Sequence, residues 1–277
     1  MPVPAMLELI VAQSGHDSIP LPAEAFEVEE WRQADGTITA VGYAADGWQW
    51  LRLPGVATFR FDNASRHVLA FAEPACGRQT LLDAFQRCLL PIALQARGYE
   101  ALHGSGVRTE RGVTAFCAVA DTGKSTLAYG LRRRGYALWA DDAVVFEPVE
   151  GGMHALPVPF RMRMQSASVE YFGEQPLPAE APAEEPLPLA AVCLLERAPP
   201  SAERPPAEIT RLSGSRALTG VMTHAYYFEL RDAQRKARMV QHYLDLIARV
   251  PVFEVRFQPG FDKFSAVLDA VERTILA

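Results

Sequence analysis

The chain has 277 residues and a mass of 30.5 kDa, enough for one large or two small domains, and 49% hydrophobic residues to supply a core. With 27 basic against 33 acidic residues, the net charge is −6 and the pI about 5.6. That balance excludes a histone-like protein or polybasic anchor, and with it any general attraction to nucleic acid or an anionic membrane.

The first residues, MPVPAMLELIVAQ, carry Glu8 and lack the basic lead and small-residue cleavage site of a secretory signal, so a cytoplasmic protein is expected. Residues 38–72 hold TITAVGYA, WQWLRLP, TFRFD and HVLAFAE, short β-branched and aromatic runs separated by Gly, Asp, Asn and Pro, which predict an antiparallel sheet. From Gln79 to Arg97, Leu82, Phe85, Leu89, Ile92 and Ala93 recur at helical spacing, with Pro91 expected to kink or divide the helix. Residues 1–99 thus read as a small α+β unit. The apolar run LLPIAL at 89–94 is far short of the roughly 20 residues a membrane span needs. Cys76, Cys88, Cys117 and Cys193 are too widely spaced for a zinc or redox motif and read as reduced thiols.

The pattern then changes to strand (113–119), helix (Lys124 to about Arg134), and strands at 136–140 and 143–148, the alternation of an α/β nucleotide-binding core over 100–277. Nine of the 21 prolines fall between Pro176 and Pro206, predicting extended loops at 173–189 and 198–206 around the strand AAVCLLE. A short helix near 215–222, a longer one near 231–248, the strand VPVFEVRF and a helix over 262–276 follow. On the longer helix, Arg231, Arg235, Lys236 and Arg238 read as a solvated face opposite a buried Met239, Tyr243, Leu244 and Ile247.

The chemistry concentrates in residues 102–148. There ADTGKST, residues 120–126, follows an apolar strand and opens a helix, the context of a phosphate-binding loop. In such a loop the backbone N–H groups of Ala120, Asp121, Thr122, Gly123, Lys124, Ser125 and Thr126 face phosphates, Lys124 reaches the terminal ones, and the Ser125 hydroxyl binds Mg²⁺. The full pattern opens on Gly, where this chain has Ala118. Asp141 and Asp142 end the next strand, where one carboxylate can hold Mg²⁺ and the other accept a proton, although a solvated turn also favours paired aspartates. His103, in LHGSGV on the preceding strand, is a candidate catalytic neighbour. Arg161 and Arg163, two apart in a strand-like stretch, project to one face and are candidate contacts for a phosphate or the acceptor. Arg132, Arg133 and Arg134 read as a solvated helix end.

His103-Gly104-x-x-Val107, the GKST loop, and Arg134-Gly-Tyr-x-Leu-x-Ala-Asp141-Asp142-x-Val together resemble the HPr kinase/phosphorylase catalytic domain, and the layout to the C-terminus resembles its small relatives beside peptide-modifying genes, lasso-peptide kinases included. The resemblance implies an HPr-kinase-like P-loop fold and a kinase using ATP and Mg²⁺. Its acceptor would be a serine of a peptide or small protein. It also implies roles: Lys124 and Ser125 on the triphosphate and Mg²⁺, Asp141 as the metal-side carboxylate, Asp142 as the base and His103 as its orienter. A homo-oligomer is compatible with the sequence. Ala118 and Asp121 stand where the family has glycines, and Thr126 where it has an acid. A carboxylate about 4 Å from a phosphate would repel it by on the order of 4 kcal/mol at an effective dielectric of 20. The alternatives are a small-molecule kinase and a degenerate nucleotide-binding module without transfer. Retention of His103, Lys124, Ser125, Asp141 and Asp142 together favours an enzyme.

Overall fold

The computed structural model describes residues 7–12, 21–33, 35–173, 185–201, 203–228 and 232–276. Two units divide the chain, Met1–Tyr99 with Tyr226–Met239, and Glu100–Ala225 with Val240–Ala277.

In the first unit the alternating runs become one six-stranded sheet. Its strands are β1 (Glu8–Val11), β2 (Phe26–Arg32), β3 (Ile38–Ala45), β4 (Trp48–Leu53), β5 (Ala57–Asp62) and β6 (His67–Ala72), in the order β1-β6-β5-β4-β3-β2. Along β5, Ala57, Phe59 and Phe61 are buried and Thr58, Arg60 and Asp62 less so, the period-two signature of a sheet with one covered face. Asp46 and Gly47, both at positive φ, close the β3–β4 hairpin, and an Asp-Gly pair suits the twist of such a two-residue turn. β1 joins β6 in parallel and β2 lies at the opposite edge. After the sheet come α1 (Arg78–Ala84), a π-helical turn over Phe85–Leu89, and α2 (Leu90–Ala96). Pro91 falls in the first turn of α2, where its missing N–H is harmless, and the wider turn before it absorbs the ring.

In the second unit the strands are β7 (Glu100–Thr109), β8 (Gly112–Cys117), β9 (Ala137–Ala140), β10 (Ala143–Val149), β11 (Gly152–Ala155), β12 (Leu187–Arg197), β13 (Ala207–Leu212) and β14 (Val252–Phe257). They form an eight-stranded sheet, β11-β10-β7-β8-β12-β14-β13, with β9 beside β7. β8, β12 and β14 run parallel, which requires crossovers and gives the unit its mixed α/β character. The helices are α3 (Lys124–Arg133), α4 (Ser166–Phe172), α5 (Gly214–Met222), α6 (Ala233–Arg249), whose residues up to Met239 belong to the first unit, and α7 (Phe261–Val271), the last running into a π-helical turn, Glu272–Leu276. Phe116 and Cys193 of the sheet pack with Leu127 and Leu131 of α3 and Val267 and Val271 of α7 in one core. Among the described residues, no helix is long and apolar enough to cross a membrane.

Several expectations change. Arg134 is not a solvated helix end: it donates to Asp269 (2.7 Å), Glu272 and the Ser265 carbonyl, tying the end of α3 to α7. Arg235 leaves the solvated face of α6, being 5% exposed, and donates to the carbonyls of Gln95 (2.9 Å) and Tyr99 (3.0 Å) where α2 ends. Gln95 O also takes the Gly98 N–H at 3.0 Å, and a carbonyl's second lone pair is open to the guanidinium, whose buried charge is thereby hydrogen-bonded. Leu244, expected in the core, is exposed, and Leu246 is buried instead. Arg161 and Arg163 lie in an extended segment outside any strand. Of the proline-rich loops, 174–184 and residue 202 lie outside the described residues, as does Arg231. The strand expected between those loops is β12.

Candidate functional site

β8 delivers the chain to the carboxyl end of the parallel strands, and residues 118–123 turn there into α3. The turn needs Gly123, whose φ of 119° no side-chain-bearing residue adopts without strain. Asp121 sits at φ 64°, the left-handed region that Asp tolerates better than most. Its carbonyl and that of Thr122 accept from the Arg197 guanidinium of β12 at 2.6 and 3.1 Å, holding the outer side of the loop. The Asp121 carboxylate itself accepts from Gln165.

Lys124 opens α3 and is 7% exposed. Its ammonium folds back over the loop and donates to the carbonyls of Ala118 (3.1 Å) and Val119 (3.3 Å), using two of the three donors an ammonium carries. Burial pulls its pKa below the usual lysine value, opposed by the charges of Asp142, Asp141 and Asp121. The Cys117 thiol beneath it is wholly buried and pushed up to about 12, which makes it inert.

Asp141 is the hub. One carboxylate oxygen accepts from Ser105 Oγ of β7 at 2.7 Å and from Ser125 Oγ of α3 at 2.8 Å, and the other from the Arg163 backbone N–H at 3.1 Å. Burial, then the Asp142 charge, raises its pKa against those three hydrogen bonds. Asp142 follows in the β9–β10 turn at φ 67°, its carbonyl accepting from Gly104 N at 3.2 Å. His103 of β7 pairs in register with Ala143, so it neighbours Asp142 across the β7–β10 ladder. Its N–H donates to the His224 carbonyl at 2.7 Å.

Lys124, Ser125, Asp141, Asp142 and His103 therefore gather at one end of the sheet. Arg163 reaches the cluster through its backbone, Arg161 lies half-buried two residues earlier, Ala120 is exposed and Thr122 buried. Thr126 turns its hydroxyl to Ser168 of α4 at 2.8 Å. Four residues of the site escaped the sequence reading: Ser105, Gln165, Arg197 and His224. Ser105 had a signal, being two residues beyond His103 on one strand and so on the same face. The other three come from distant segments, and nothing local marks them.

Ser125 and Asp141 form an all-oxygen donor set of the kind hard cations take, and the raised pKa of Asp141 is that of a buried carboxylate short of positive charge. Among the described residues, no three His, Cys, Asp or Glu side chains converge as an all-protein metal site would require. Mg²⁺ typically relies on one or two carboxylates and the substrate's phosphates, so these residues fit it.

No family model matches the chain, and no curated protein matches it. Among solved structures it is similar to the Hpr(Ser) kinase/phosphatase from Coxiella burnetii, at 13% identity and a TM-score of 0.34, over 62% of this chain and 88% of that one. At that level the neighbour bears on neither chemistry nor fold, and both rest on this chain's own residues.

Proposed function

We propose that the chain is an HPr-kinase-like P-loop phosphotransferase that binds ATP with Mg²⁺ at the GKST loop and passes the γ-phosphoryl group to a serine hydroxyl of a peptide or small protein. The observation that carries this reading is the Ser125–Asp141 hydrogen bond at the start of α3, beside a buried lysine curled over a glycine turn. The sequence likeness of His103 to Val107 and Arg134 to Val144 to the HPr kinase pattern agrees with it.

The N–H groups that open α3 face a polyphosphate with the positive end of the helix dipole, and Lys124 adds a full charge. Ser125 and Asp141 would hold Mg²⁺, which when bound neutralises charge on the phosphate oxygens. Asp142 takes the proton of the acceptor hydroxyl, and His103 beside it orients that exchange. The hydroxyl oxygen bonds to the γ-phosphorus, the bond from phosphorus to the bridging oxygen breaks, and ADP leaves with that electron pair. Little covalent work falls to the protein, so positioning and charge supply most of the rate.

Transfer of label from γ-labelled ATP to a pool of serine peptides tests the reading. Asp142→Asn is expected to retain MgATP affinity and lose at least about 100-fold in transfer, the scale of general-base catalysis. Unchanged transfer contradicts the base assignment. If Asp142→Asn loses Mg²⁺-dependent binding while Asp141→Asn keeps it, the two roles exchange.

A further inference from the structure

β7 changes partner at the root of the GKST loop. Gly104 pairs with Cys117, the last residue of β8, whereas the next position back, His103, gives its N–H to the His224 carbonyl, and Leu102 bridges Ala225 in antiparallel sense. The segment after α5 thus continues the line that β8 abandons where the loop departs. In that register the backbone of His224 falls opposite His103. Burial, then the Lys124 charge, lowers the His224 pKa.

His224 also lines a cavity of about 560 Å³, within the range of small-molecule and peptide-side-chain sites. Val119 of the loop forms one wall, Leu194 and Glu254 of the sheet another, and Gly220, Thr223 and His224 at the end of α5 the third. Val119 lies 65% exposed, an apolar side chain left open next to the most polar part of the unit.

The polarity of the loop decides which substrate this cavity suits. In phosphate-binding loops the lysine meets the terminal phosphates. Here its ammonium sits at the carbonyls of Ala118 and Val119, so the terminal end lies on the cavity side, while Thr126, beyond Ser125, faces α4. A nucleophile must approach from the terminal end. Glu196 and Glu254 line the cavity together with Arg197, and Glu254 is itself paired with Arg216 at 3.6 Å, a balance of charge that suits an uncharged alcohol.

We infer that this cavity is the acceptor site, receiving an uncharged alcohol with an apolar neighbour, such as a serine next to an aliphatic residue, and that His224 positions it by donating an imidazole N–H to the acceptor oxygen. The inference rests on the GKST loop being the ATP site. A conjugate in which the γ-phosphate of ATP is esterified to the serine of an end-blocked Leu-Ser-Leu peptide probes both subsites at once, without turnover. The protein is expected to bind this conjugate at least about tenfold more tightly than ATP, the gain of one good additional contact. His224→Gln, and separately Thr223→Phe, which fills the cavity from an exposed position, are expected to keep ATP affinity and melting temperature while losing most of that gain.

A conjugate no tighter than ATP, or a gain intact in both variants, overturns the inference. Loss of ATP affinity in Thr223→Phe overturns it too, by giving the cavity to the nucleoside. Binding of neither ligand contradicts the ATP reading itself, and the acceptor site with it.

Discussion

Asp141 concentrates the tension of the site in a single side chain. Three hydrogen bonds favour its charged form, yet burial and the neighbouring Asp142 outweigh them and raise its pKa above the usual carboxylate value. The folded chain therefore holds a proton on this group more tightly than the unfolded chain does. Stability from that difference is fully present below the unfolded carboxylate pKa and is lost as pH rises through the folded value, so at neutral pH the ionised group is a burden. Asp141→Asn removes the burden: its amide oxygen still accepts from Ser105 and Ser125, and only the bond from the Arg163 N–H is lost. Thermal melting is expected to show the variant about 2–4 °C more stable at pH 7, the shift that roughly 1 kcal/mol gives a chain of this size, and no different near pH 3.5. A variant less stable at pH 7 would mean the hydrogen bonds outweigh the charge. The site would then be stabilised by the residue that, under the proposed function, it keeps for Mg²⁺.

The GKST loop is the element on which the proposed function turns, and it was legible as strand, loop and helix because its signal is local. Its departure from pattern at Asp121 has a structural account: the residue adopts a left-handed φ of 64°, where glycine is usual and aspartate tolerated, and its carboxylate is held by Gln165. Arg197 grips the loop through backbone carbonyls, contacts that survive a change of side chain. Asp121→Gly should relieve both the backbone strain and the negative charge, tightening MgATP binding by roughly tenfold, or about 1.4 kcal/mol. Calorimetric titration with a non-hydrolysable analogue measures it. Weaker binding by the glycine variant would mean that the Asp121–Gln165 contact sets the loop's shape.

At the scale of the molecule, β3 to β6 were legible because alternation of buried and exposed residues is a property of each strand alone. β2, with the sequence FEVEEWR, was not: an edge strand has a neighbour on one side only, and its three glutamates hide the alternation. β1 is four residues long, too short for a period to register. On α6, the sequence put Arg235 on the solvated face because charge usually marks that face. In the fold, the carbonyls of Gln95 and Tyr99 just past the end of α2 make a buried arginine the fitting partner. His224 was hidden for a similar reason, since its place beside His103 is set by sheet pairing between segments far apart in the chain. Local patterns of strand, loop and helix were legible, then, and long-range pairing was not. If the GKST loop holds nucleotide phosphates, titration of MgATP into the wild type and Lys124→Ala, both verified as folded by melting temperature, will separate the two proteins. Saturable, Mg²⁺-dependent binding is expected for the wild type and a loss of about 100-fold or more for the variant, the scale on which a preorganised charge acts. Equal binding by the two proteins, or none by the wild type, would contradict that phosphate site.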